Sequence, residues 1–482
     1  MRVLIQCGDS VENQNRIYSL AELLCINGHE PVVMLYSREA NNIFKINNIR
    51  HIFLEDYKKR IINSVDIHTK LTNKISVGDI IKEEGARRPD ILWPGKIGTT
   101  CRSVLETWRG LLAVLKESSY DFLCIWNGYT GLVANCLRFI ASEFKYKSAY
   151  LERGLLKNSL FIDRKGVNGA SSLATLVEPA QASSEDVSEI YKLFPALSQA
   201  RLELLDQDKT KETKLQTNKV FLPLQVQNDT NIILYSKYNT MREVFFDVYK
   251  AFNSSSTEFV VRPHPEELPS TNINIPKYKN VIFDQSGSLN DCIKNCNIVV
   301  TVNSTVGLEA LLLGKKVYCL GKSIYSSLRC IHKIGQTNQI IGSEEILRIL
   351  ENYFVHICQN HLLARENRFN CAVMNSIFNV AFPCNIDCSK MERDKRRIEL
   401  IKKNARIYLD IDFSKKLNLT YRKSKVLISR EYLDQMMRNF GVENFEYVKD
   451  VDVANIVVTN RENKKNIVKE KLIVDVCGFV IN

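Results

Sequence analysis

Ile298-Val299-Val300-Thr301-Val302-Asn303-Ser304-Thr305-Val306-Gly307-Leu308-Glu309-Ala310-Leu311-Leu312-Leu313-Gly314 is the stretch that decides the fold. Its first five residues are apolar or β-branched and read as a buried strand, Ile298–Val302. Asn303, Ser304 and Thr305 follow, three side chains that suit a helix start. Val306–Leu313 then reads as a helix stopped by Gly314, and Lys316–Leu320 as the next strand. A strand feeding a helix and then another strand is a crossover unit, which implies a parallel sheet with helices on its faces. The same alternation runs backwards from this point. Lys219–Gln225 and Ile232–Tyr235 flank a polar turn, Met241–Phe252 is helical, Glu258–Arg262 and Asn280–Asp284 are strands, and Leu289–Asn295 is a helix. Ser343–Phe369 reads as one strong helix.

A similar series opens the chain. Val3–Cys7, Pro31–Tyr36, His51–Leu54 and Phe122–Trp126 read as strands, and Arg16–Asn27, Glu106–Lys116 and Thr130–Glu143 as helices. Between them, Ile61–Thr100 is polar and weakly periodic, and is expected to hold helical insertions and loops. Asp208–Lys219 is hydrophilic without periodicity and reads as a linker. The expected architecture is α/β: two Rossmann-like lobes facing a cleft, residues 1–215 and 216–384, plus a small C-terminal α/β extension, 385–482. Strand C-termini and helix N-termini of both lobes should line the cleft.

Composition agrees. The chain has 482 residues, 45% hydrophobic and 25% charged, with a net charge of +12. These values exclude a disordered, collagen-like or disulfide-scaffold protein. No apolar run approaches the roughly 18 residues of a membrane span, and the N-terminus reads as a strand rather than a signal peptide, so a cytoplasmic location is expected. The 14 cysteines are scattered without a CxxC pair. Cys292/Cys296 and Cys384/Cys388 have only weak metal spacing, and free thiols in a reducing compartment are the expectation. The charge is uneven: residues 385–482 hold 21 basic and 15 acidic residues, a net of +6. Within them, 390–406 reads as a basic amphipathic helix. It is either a solvated linker or a contact with an anionic membrane surface, which would put the protein peripherally on the inner face of the cytoplasmic membrane. A nucleic-acid partner is not expected, because basic and aromatic residues are not interleaved and no known module is present.

Four clusters could carry chemistry. Arg262-Pro263-His264-Pro265 delivers two basic groups at a strand end, with prolines fixing the backbone around His264, and suits a phosphate or carboxylate. Asn303-Ser304-Thr305, with Gly307 and Glu309, suits a nucleotide: helix N–H groups for the phosphate, Gly307 leaving room for a ligand or strand, and Glu309 within reach of ribose hydroxyls. Pro223-Leu224-Gln225-Val226-Gln227-Asn228-Asp229 brings a carboxylate to the start of the second lobe. Leu151-Glu152-Arg153-Gly154, followed by Asp163 and Gly166-Val167-Asn168, brings another from the first. Two carboxylates, one from each lobe, match the needs of glycosyl transfer.

Together these blocks resemble the bacterial capsular polysaccharide synthesis proteins with retaining β-Kdo transferase modules. The matching pieces are Trp126-Asn127-Gly128, Leu151–Gly154 with Asp163 and Gly166-Val167-Asn168, Pro223–Val226 with Asn228-Asp229, Arg262–Pro265, and Asn303–Leu311 followed by Gly314–Val317 and Leu320-Gly321. They span roughly Leu123–Tyr325. The first 100 residues match only as a generic Rossmann lobe, and the tail after Pro383 matches nothing. The resemblance implies a GT-B fold and CMP-Kdo as donor, with His264 on the phosphate, Ser304 and Thr305 capping it, and Glu309 near the ribose. Arg262, Asn303 and Gly307 complete the implied donor site. Asp229 matches the family's nucleophile and Glu152 its partner acid/base, giving double displacement with retention. A single-phosphate leaving group requires no divalent metal, and no cofactor is expected. The lobes lack a DxD motif, and Asp410-Ile411-Asp412 in the tail reads as structural. Arg153, Arg164 and Lys165 are equivalent candidates for the sugar carboxylate. A glycan or lipid-linked glycan is the implied acceptor. Two other readings stay open: a transferase for another cytidine donor (CMP-sialic acid-like or CDP-glycerol), and a non-catalytic sugar-nucleotide-binding subunit.

Overall fold

The structure is a computed structural model. It describes residues 1–8, 10–38, 44, 49–198, 201–202, 204, 218–226, 229–265, 275, 278–284, 287–336, 341–364 and 367–379, together with the tail strands 405–410, 418–421, 424–427, 445–448, 456–459 and 472–475. The chain divides into two units, 1–40 with 52–382, and 41–51 with 383–482.

The first unit contains two sheets. The first is built from β1 (Arg2–Gln6), β2 (Glu30–Leu35), β3 (His51–Phe53), β4 (Phe122–Trp126), β5 (Ser148–Arg153) and β6 (Leu160–Asp163). The second is built from β7 (Asn218–Pro223), β8 (Thr257–Arg262), β9 (Val281–Phe283), β10 (Ile298–Thr301) and β11 (Lys316–Cys319). The second sheet runs β11-β10-β7-β8-β9 and is parallel throughout. In the first, β4 pairs in parallel with both β1 and β5. Its order is β12-β6-β5-β4-β1-β2-β3, where β12 (Leu362–Leu363) comes from the far end of the unit. The chain thus crosses back from the second lobe to the first. Two Rossmann-like sheets in tandem, joined by that return, make a GT-B fold.

The strands form because their residues are buried on both faces: Val3, Leu4 and Ile5 are fully buried, as are Val32, Val33 and Met34. One buried cluster joins Phe161, Ile190 and Phe194 to Phe221, Leu308, Leu311, Tyr353 and Phe354, so the end of the first lobe shares a core with the second.

Several elements depart from the sequence reading. Ile232–Tyr235, read only as one flank of a polar turn, is part of a helix, Thr230–Tyr235, which the Asp229 carboxylate caps by accepting from the Asn231 N–H. Ser343–Phe369 is not one helix. A helix Ser343–Asn360 ends at His361, Leu362 and Leu363 pair antiparallel with Leu160 and Phe161, and a second helix, Asn370–Phe378, follows. The polar stretch 61–100 does hold the expected helical insertion, Val77–Arg87, opened by a capping box between Ser76 and Asp79. The helix read as Glu106–Lys116 starts earlier and spans Pro94–Glu117.

In the second unit, Ala405–Asp410, Phe445–Val448, Ile456–Thr459 and Leu472–Asp475 form a parallel four-stranded sheet, and Asn418–Tyr421 pairs with Ser424–Leu427 as a hairpin. Asp410 of the DxD triplet ends a strand in register with Thr459. Most of the expected basic helix, 390–404, lies outside the described residues, whereas Ala405 and Arg406 are in a strand. The Asp208–Lys219 linker lies outside them up to residue 217, and Asn218 opens β7.

Candidate functional site

Each sheet reverses its strand order once. In the first the chain moves outward through β1, β2 and β3, then restarts at β4 on the other side of β1; in the second it restarts at β10 on the other side of β7. Ligands of open α/β sheets bind beyond the strand C-termini at such reversals. The candidate residues lie there: Asn127 after β4, Glu152 near the end of β5, Gln225 and Asp229 after β7, His264 after β8, and Asn303–Thr305 after β10.

Asp229 sits in a polar knot that ties β7 to β10. Its Oδ1 accepts the Asn231 N–H at 2.8 Å, and Gln225 Nε2 lies 3.4 Å from Oδ2. Gln225 donates to Asn303 Oδ1 at 3.0 Å and accepts from the Asn303 N–H at 3.2 Å. Asn303 Nδ2 donates to the Asn231 carbonyl at 2.7 Å. Gln225 is buried, and the sequence reading did not select it. Its only signal was its position directly after the β7 run.

The β10 turn is largely self-capped. The N–H groups of Ser304, Val306 and Gly307 go to Thr301 Oγ1, Ser304 Oγ and the Ser304 carbonyl. Gly307 has a packing reason instead of the expected ligand approach. A Cβ there would strike the Tyr325 hydroxyl and come within 3.0 Å of Thr301 Cγ2. Tyr325 is fully buried and donates to the Ser304 carbonyl. Thr305 and Glu309 are exposed on the turn. Desolvation by the atoms around the Glu309 carboxyl still raises its pKa above the ordinary value.

Arg262 and His264 separate. Arg262 Nη1 approaches Cys292 Sγ at 3.5 Å, and that thiol lies 3.4 Å from Asp284 Oδ2. Burial, and then Asp284, push the Cys292 thiol up. The Arg262 carbonyl accepts the Leu224 N–H, which fixes the β8 end beside β7. His264 is half-buried in the following loop.

On the first lobe, Glu152 accepts from Asn127 Nδ2 at 2.8 Å through Oε2 and from the Arg153 N–H at 2.9 Å through Oε1. Each catalytic candidate is therefore held by partners of its own lobe. Beside the shared core, aromatic rings also meet between the lobes near these candidates. Tyr235, at the end of the helix that Asp229 caps, meets Tyr129 edge-on at 6.4 Å, and Tyr129 stacks on Tyr150 at 6.2 Å. Gly169 lies against the Tyr235 ring, where a Cβ would clash with it. Burial raises the pKa of Tyr129, Tyr150 and Tyr235, keeping all three phenols neutral. By helical rise Asp229 stands about 9 Å along the helix from Tyr235.

Asp163, part of the Glu152 block, is 1% exposed. It accepts from the Lys165 N–H, the Ser171 and Ser172 hydroxyls and the Ser172 N–H, all within 2.8 Å. It thereby shapes the turn that presents Asn168 and Gly169 to Tyr235.

Residues 186–329 match the family described as capsule polysaccharide biosynthesis protein. The match covers under a third of the chain, and it is a similarity of that segment. The segment holds Asp229, His264 and Asn303–Glu309. Protein FixF of Sinorhizobium fredii (strain NBRC 101917 / NGR234) is 31% identical over 226 residues, 45% of this chain and 54% of FixF. The capsule polysaccharide export protein KpsS of Escherichia coli is 25% identical over 114 residues, 21% of this chain and 29% of KpsS. The chain thus spans about half or less of the curated relatives it matches. Among solved structures, the beta Kdo 2,4 transferase of Thermosulfurimonas dismutans KpsC is similar with a TM-score of 0.36 and 19% identity, covering 49% of this chain and 78% of that one. Among the described residues no helix is long and apolar enough to cross a membrane.

Proposed function

We propose that this chain is a capsule-synthesis enzyme, a retaining glycosyltransferase that moves Kdo from CMP-Kdo to a surface-polysaccharide or glycolipid acceptor. The observation that carries the reading is the knot at the second lobe's strand reversal, where Asp229 is held by Asn231 and Gln225 beside Asn303. An Asp229 carboxylate oxygen attacks the anomeric carbon of the sugar, and the bond to the CMP phosphate breaks. An acceptor hydroxyl then displaces Asp229 and passes its proton to Glu152. Two inversions give net retention.

His264, with Arg262 behind it, is the proposed phosphate contact. Asn303, Ser304 and Thr305 border the nucleotide, with Glu309 toward the ribose. Gly307 serves this site indirectly, by admitting Tyr325 beneath the turn. CMP carries its phosphate out as a monoester, so turnover is expected to survive chelation by EDTA. The anionic-membrane reading of 390–406 stands beside this as a proposal, tested by co-sedimentation with anionic vesicles.

Mass spectrometry of protein incubated with CMP-Kdo tests the mechanism. A Kdo adduct is expected on the wild type and absent from Asp229→Ala. An adduct on a different residue, or full CMP release by Asp229→Ala, overturns the assignment. A binding panel of CMP, UDP and GDP tests the donor, with CMP expected to bind tightest.

A further inference from the structure

We propose that Asn127 is a positioning residue that holds the Glu152 carboxylate in its reacting orientation, on a loop that Glu84 and Arg138 brace. The inference rests on the reading of Glu152 as the acid/base. It begins from backbone geometry. Asn127 follows β4 with φ +58°, and Gly128 has φ +84°. Gly128 takes this region freely, whereas for Asn127 it costs free energy unless the surroundings impose it.

The surroundings do so here. The Asn127 N–H continues the β4–β5 ladder to the Leu151 carbonyl at 2.7 Å. A Cβ on Gly128 would lie 2.5 Å from the Tyr150 ring, so only glycine fits. Arg138 Nε donates to the Gly128 carbonyl at 2.9 Å, while its other end pairs with Glu83 and its plane covers Tyr129 at 4.6 Å. Glu84, 3% exposed, accepts the Gly131 N–H at 2.9 Å and faces Asn135 Nδ2 at 3.4 Å.

Asn127 then has one choice of amide orientation. Its Oδ1 accepts the Tyr129 N–H at 3.2 Å, a group that can only donate, and its Nδ2 donates to Glu152 Oε2 at 2.8 Å. A carboxylate can only accept, so the amide cannot flip without losing both bonds. With the Arg153 N–H on the other oxygen, both oxygens of Glu152 have donors and the side chain is locked in one rotamer. Glycosyl transfer needs that precision, since a misplacement of about 1 Å can cost 10²-fold in rate.

The substitutions separate the side chain from the backbone. Asn127→Gly keeps the left-handed backbone and removes the donor. Asn127→Asp keeps an acceptor for the Tyr129 N–H and faces Glu152 with a second carboxylate. CMP release from CMP-Kdo should fall about 10- to 100-fold in Asn127→Gly, with KM for CMP-Kdo and Tm near wild type. In Asn127→Asp the two carboxylates share a proton, so the acid limb of the pH–rate profile moves to higher pH. A merely structural role would not move that limb. Glu152→Gln separates the two ideas. If Glu152→Gln is inactive and Asn127→Gly turns over at the wild-type rate, the positioning role is overturned and the acid/base reading stands. If Glu152→Gln keeps wild-type turnover, both fall. An unshifted pH profile in Asn127→Asp also overturns the positioning role.

Discussion

Asp163 and His361 are residues whose functional weight comes from burial. Asp163 Oδ2 takes three of the four short hydrogen bonds on this carboxylate, and an amide has a single oxygen to offer. Asp163→Asn therefore turns an NH2 toward an N–H donor. A cost of about 2–4 kcal/mol is expected, read as a lower urea midpoint, because charge-assisted bonds are lost and buried donors stay unpaired. His361 donates through Nδ1 to the Ile162 carbonyl at 3.1 Å and lies 3.5 Å from Asp163. Burial depresses its pKa, with Asp163 and Ile162 pulling the other way, and burial and then His361 depress His356. The unfolded imidazoles titrate near 6.5, so they take up protons before the folded ones do. Stability is complete above that pH and is lost as pH falls through it toward the depressed folded values. Tm should fall between pH 7.5 and 5.5, and His356→Gln should flatten the fall.

Among the elements, the β10 turn shows how a residue chosen for one reason can serve another. Gly307→Ala drives a methyl into Tyr325, with an expected cost of about 1–3 kcal/mol. Tyr325→Phe removes the clashing hydroxyl but leaves the Ser304 carbonyl without that donor. The double variant should lose less than the sum of the singles, as measured by urea unfolding. The sequence made some elements legible and hid others. Met241–Phe252 was readable because its apolar period and Thr240 cap are local signals. Ile232–Tyr235 was not, because four apolar residues carry no period. The site divides the same way. Asp229, His264 and Asn303–Thr305 announce themselves as polar groups at the ends of apolar runs. Gln225, Tyr235 and Arg138 do not, since each acts through partners distant in the chain.

At the scale of the molecule, the return of the chain decides where it can be cut. Leu362 and Leu363 pair with the first sheet although they follow the second lobe. The helix Ser343–Asn360 buries Tyr353, Phe354 and Cys358 in the shared core, and Phe378 packs on Phe122 at 4.7 Å. Leu362 and Phe161 lie about 200 residues apart, and Phe378 and Phe122 more, so no local pattern in Ser343–Phe369 could reveal the break that creates these pairings. A chain ending at residue 342 leaves the first sheet without β12 and the core open, and is expected to be insoluble. A chain ending at Phe382 keeps every one of these contacts. It removes 383–482 and with it the +6 carried by 385–482, half of the net charge. That shortened chain should bind CMP within about twofold of the full chain by calorimetry, because His264, Asp229 and the Asn303 turn are all retained. Its loss should instead appear in acceptor transfer or vesicle binding, where a basic extension acts on anionic partners. Loss of CMP binding would make the tail part of the catalytic fold.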